Sequence, residues 1–126
     1  MKNSIAVVIT ACVMVACAHS GVEDNARQFA GNVVVESGRH KELCFESNQG
    51  DKVIYRFEAN SPLKFNLHYH QDEEVFFPVP EHATAAEKGQ YIVVADDTYC
   101  LMWTNSHDTV VDLSVHVEGT ANASWY

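Results

Sequence analysis

Apolar and polar side chains alternate along most of this chain, most clearly over residues 63–79, LKFNLHYHQDEEVFFPV. On an extended backbone Leu63, Phe65, Leu67 and Tyr69 share one face, and Lys64, Asn66, His68 and His70 share the other. The first row reads as core. The second presents two imidazoles side by side. Upstream, Val53, Tyr55 and Phe57 alternate with Ile54, Arg56 and Glu58, and Asn60, Ser61 and Pro62 predict a turn that makes these two stretches a hairpin-like pair.

Further short strands are predicted at residues 33–35, 43–47, 75–79 and 90–95. Two more follow at 99–104, with Tyr99, Leu101 and Trp103 on one face, and at 109–118, with Val111, Leu113, Val115 and Val117 on one face. Pro78 and Pro80 suit an edge strand or a strand end. Only residues 82–88, HATAAEK, have a helix-friendly composition, and Gly89 is placed to end such a helix. The expected fold class is all-β, an antiparallel β-sandwich of about eight short strands after an N-terminal signal helix. The expected division is an export signal at 1–18, a flexible tether at 19–31, the sandwich at 32–118 and a C-terminal tail at 119–126.

With 126 residues, 47% of them hydrophobic, the chain can bury one modest core. Its 17 acidic and 8 basic residues give a formal charge of -9. No basic run could follow a phosphate backbone or an anionic bilayer, so nucleic acid is excluded as a partner, and cationic partners or metal ions are electrostatically easier.

The leader, MKNSIAVVITACVMVACA, has one lysine followed by an apolar run from Ile5 to Val15 that is short for a bilayer span. Met14, Val15, Ala16 and Cys17 resemble the lipobox of bacterial lipoprotein signals. That resemblance implies acylation of Cys17, membrane attachment only through this lipid anchor, and, with Ala18 following the cysteine, the periplasmic face of the outer membrane. The alternative is small-x-small cleavage releasing a periplasmic or secreted protein that begins at His19. Either cut leaves Cys44 and Cys100, and an even pair in a small exported domain is expected to form a disulfide.

Cys44-Phe45-Glu46, the Gly50-Asp51-x-Val53-x-Tyr55-x-Phe57 strand and Tyr99-Cys100-Leu101-Met102-Trp103-Thr104-Asn105 resemble GOLD domains. These are lumenal β-sandwich modules of eukaryotic secretory cargo receptors, and the likeness spans about residues 42–118. It implies a GOLD-like or jelly-roll-like sandwich, pairing of Cys44 with Cys100, and a binding rather than catalytic role. The receptors' coiled coil and C-terminal membrane anchor are missing, so their trafficking role does not carry over. His68-x-His70-x-x-x-Glu74 is similar to the first metal motif of cupins. The glycine of that motif is replaced by Glu81 and the second motif is absent, which leaves His107 as a stand-in third histidine.

The candidate metal set is therefore His68, His70 and Glu74, completed by His107 or His116 if the strands bring them near. Copper or zinc is the expected ion, Met102 favouring copper(I), although no cofactor is required by the sequence. The opposing reading is a solvated strand face. Asp72, Glu73 and Glu74 read as a solvated acidic turn rather than paired catalytic carboxylates. The expected function is a non-catalytic binding module of the bacterial envelope whose partner is an envelope protein or small ligand. A metal-binding protein is the alternative and a cupin-type metalloenzyme the third.

Overall fold

A computed structural model describes residues 27–126. The export signal, Cys17 and most of the expected tether lie outside the described residues. The strands are β1 (Gln28–Val35), β2 (His40–Ser47), β3 (Lys52–Gln71), β4 (Glu74–Ile92), β5 (Asp97–Thr104), β6 (Val111–Glu118) and β7 (Ala121–Trp125). They pair antiparallel in the order β1-β6-β3-β5-β2-β7, with β4 on the other side of β3. The all-β expectation holds.

The strands are not uniformly short, because β3 runs for 20 residues and β4 for 19. The turn expected at Asn60, Ser61 and Pro62 is instead a bend within β3. Before it, residues from Ile54 to Ala59 pair with β6; after it, residues from Lys64 to Tyr69 pair with β5, while β4 stays alongside throughout. The polar groups that suggested a reversal are used by neighbouring segments. Asn60 Oδ1 accepts the Asp112 amide at 3.0 Å, and the Pro62 carbonyl accepts His107 Nε2–H at 2.6 Å.

The bend divides the sheet into two layers. One holds β1, β6, the first half of β3 and the second half of β4; the other holds β7, β2, β5, the second half of β3 and the first half of β4. This is a jelly-roll-like wrap. The predicted inner rows of both layers form one core: Val53, Tyr55 and Phe57; Leu63, Phe65, Leu67 and Tyr69; Tyr99, Leu101 and Trp103; and Val111, Leu113, Val115 and Val117 are all buried. Phe57 in the first layer meets Trp103 in the second edge to face at 5.4 Å. On the far side Phe29 of β1 packs on Trp125 of β7 at 5.7 Å, and the Arg27 carbonyl accepts the Gly119 and Thr120 amides, so the sheet nearly closes into a barrel.

Three local expectations are corrected by pairing that lies far away in sequence. Residues 82–88 are strand, with His82 opposite Phe65, Thr84 opposite Leu63 and Glu87 opposite Phe57. Helix propensity differs by only about 0.7 kcal/mol among ordinary residues, and docking on β3 overrides it. Pro78 and Pro80 do not end β4, but they do lie in an edge strand, the other setting expected for them: β3 is its one strand partner among the described residues, so the outer edge needs no amide donor.

The expected tail forms β7. Gly119, at φ 82, turns the chain, and a Cβ there would overlap the Lys52 carbonyl. Trp125 then pairs with Leu43, and Tyr126 exchanges backbone hydrogen bonds of 3.0 and 2.8 Å with Glu42. At the other end β1 begins at Gln28, inside the stretch expected as tether.

Candidate functional site

Strand register assembles the site on the outer face of the second layer. His68 of β3 lies opposite Cys100 of β5, Cys100 opposite Cys44 of β2, and Cys44 opposite Ser124 of β7. Cys44 and Cys100 form the expected disulfide, with Cα atoms 4.1 Å apart. In the adjacent row Asn66 faces Met102 and Met102 faces Glu42. Alternation puts all of these on the face opposite the core.

This face is packed rather than wet. Asn66 is 1% exposed, His68 6% and Cys100 7%, whereas Lys64 and His70 are exposed. His68 Nδ1 lies 2.8 Å from Asn66 Oδ1, so Nδ1 carries the proton and donates, leaving the Nε2 lone pair for a ligand. The His70 ring stands edge-on to His68 at 5.3 Å and Phe77 lies at 5.8 Å. Beside them the start of β4 leaves Val75 and Phe77 exposed, Phe77 by 50%, while Phe76 stacks on Tyr69 on the other face of the ribbon.

Burial pushes the His68 pKa below the usual 6.5; the Glu42 carboxylate opposes this and His70 adds to it. His68 is therefore neutral at pH 7. The unfolded chain takes up this proton first as the pH falls, so the stability that neutral His68 contributes is complete above about 6.5 and is lost as the pH drops toward its folded pKa. A ring-resonance titration by NMR should show His68 protonating with a midpoint below 6.5. A midpoint at or above that value would contradict a desolvated imidazole.

The ligand atoms of Glu42, His68 and Cys100 lie within 4.8 Å of one another. Glu42 Oε2 is also 3.7 Å from Cys44 Sγ, a contact and not a hydrogen bond, because a disulfide sulfur carries no proton. With the disulfide formed, the strong donors of this group are the Glu42 carboxylate and the His68 imidazole.

The expected metal set is only partly gathered here. His68 and His70 are adjacent. Glu74 pairs with Gln71 at the hairpin tip, which puts it on the Tyr69 side of the ribbon, away from the two histidines. His107 is tied to the Pro62 carbonyl, and Pro62 is about 20 Å from His68 along β3 at a rise of ~3.3 Å per residue. His116 pairs with Arg56 in the first layer. Met102 lies beside the disulfide, half-buried. Glu42 and Asn66 escaped the sequence reading as site residues. The signal for Glu42 is that it stands two positions before Cys44, hence on the same strand face, but using it requires knowing that β2, β5 and β3 are neighbours.

No protein-family model matches the chain, and no curated protein matches it. Among solved structures, one that is similar is the solution NMR structure of a de novo designed double-stranded β-helix. It is 17% identical and has a TM-score of 0.43, with 71% of this chain and 99% of that one covered.

Proposed function

We propose that this protein is a non-catalytic binding module of a bacterial envelope, a GOLD-like sandwich held to the membrane by lipid on Cys17, and that it binds its partner on the outer face around His68. The observation that supports this reading is the burial of Asn66, His68 and Cys100 on a face turned away from the core. Asn66 and His68, polar groups packed there at a desolvation cost beside exposed Val75 and Phe77, suit a surface that receives a partner rather than one left to solvent. Among the described residues the start of β4 has an unpaired edge, and an extended segment of an envelope protein could add to it as a further strand. A photo-crosslinking side chain at Phe77 should give a defined protein adduct in intact envelopes, and one at exposed Ile92 should not. Equal labelling from both positions would defeat this reading.

A second reading, binding of zinc or copper, is favoured by the grouping of Glu42 and His68 and by the fixed tautomer of the ring. In titrations of the oxidised protein with either ion, Glu42→Gln and His68→Ala should each weaken binding by about tenfold or more. Affinities unchanged in both variants would remove this reading.

A further inference from the structure

The outer face of the first layer carries a groove of about 860 Å³ that crosses β1, β6, β3 and β4. Its floor is a row fixed by register: Ala30 lies opposite His116, His116 opposite Arg56, and Arg56 opposite Lys88. Three basic side chains thus stand directly across from one another on three adjacent strands. Arg56 and Lys88 are like charges in directly opposed positions, which destabilises a sheet. The arrangement is the more unusual because the chain has 17 acidic residues against 8 Lys and Arg, enough to interleave opposite charges everywhere.

Two acidic side chains, Glu58 and Glu87, line the groove as well, and neither is ion-paired with Arg56 or Lys88. Glu58 lies in the next row, with Asn32, Ser114 and Ala86. Glu118 reaches His116 only at 3.9 Å, and Glu87 at the rim is engaged by the Tyr55 hydroxyl and by His82. Among the described residues, neither Arg56 nor Lys88 has a carboxylate within ion-pair distance. The short side chains of Ala30 and Ala86 on this face keep the groove open.

We propose that this groove binds a small organic anion, with its carboxylate or phosphoryl oxygens held between Arg56 and Lys88. The Arg56 guanidinium offers a planar fork for two oxygens, Lys88 a mobile point charge, and His116 a further donor. Asn32 and Ser114 alongside can hydrogen-bond hydroxyl groups on the body of the ligand. The ligand is small, because an extended polyanion would be repelled by the surrounding charge of -9. The site is in the layer that does not contain His68, so it stands or falls independently of the function proposed above.

The test is an NMR titration of the protein, purified as the cell processes it, with galacturonate, with galactose 6-phosphate and with neutral galactose. The expected result is saturable shifts from at least one of the two anions, centred on the amides of Arg56, Lys88, Ser114 and His116, weakened by salt and absent with galactose. The arm that saturates identifies carboxylate or phosphate as the anionic group. Arg56→Gln and Lys88→Gln should each weaken that binding about tenfold, the loss of one charge-assisted contact. Both side chains are exposed, so the variants should melt no lower than the parent. The proposal is overturned if neither anion saturates, if galactose gives the same shifts, or if both variants bind as the parent does.

Discussion

Exchanging both Cys44 and Cys100 for serine is expected to lower the stability of the folded protein by about 4 kcal/mol, the chain-entropy value for a loop of this size. The bridged residues are separated by 56 positions, so the reduced, unfolded chain regains a large conformational freedom. The folded state loses little, because β2 and β5 remain paired from His40 to Ser47 and from Asp97 to Thr104. For a domain near a hundred residues, the melting midpoint should fall by about 20 °C. Urea unfolding of the double variant, alongside the parent with and without a phosphine reductant, measures the effect. A difference below about 1 kcal/mol would mean that the unfolded chain already holds these two strands together.

Phe65→Ala is expected to cost about 4 kcal/mol. Phe65 is fully buried, with its ring 4.6 Å from Phe57, 5.5 Å from Tyr55 and 5.5 Å from Trp103. It follows the bend in β3 and joins aromatic rings from both layers, so the space it leaves cannot be filled by moving one strand alone. Phe65→Leu keeps more of the volume and should lose less than half as much in the same urea experiment. If the alanine variant lost under about 1.5 kcal/mol, the two layers would have to collapse onto the cavity more freely than their shared strand suggests.

The core was legible because its rows repeat with a period of two. Val53, Tyr55 and Phe57, or Val111, Leu113 and Val115, declare their inner face whatever strand lies next to them. Continuity was not legible. Asn60, Ser61 and Pro62 carry every local mark of a turn, and only the change of partner from β6 to β5 explains why the strand continues through them. The sequence of β7, ANASW, hides its inner row in two alanines and a tryptophan, and it becomes a strand through pairing with β2.

The site was half legible for the same reason. Spacing put His68 and His70 on one face, but their different burial depends on what β5 and β4 place beside each ring: the disulfide and Phe77 at His68, and open solvent at His70. Asn105 reads as turn chemistry from sequence, yet it is fully buried. It donates to the Val35 and Thr109 carbonyls and accepts the His107 amide, holding the β5–β6 loop and thereby fixing where His107 sits.

The bend in β3 also governs how this protein can come apart. Since β3 is an interior strand of both layers, opening either layer strips one of its edges, and neither layer can persist without the other. Its central amides should exchange with solvent only through global unfolding, in a single step. A fragment ending at the bend would keep half a strand with no neighbour from β4, β5 or β6 to cover it, a template for self-association rather than a smaller domain.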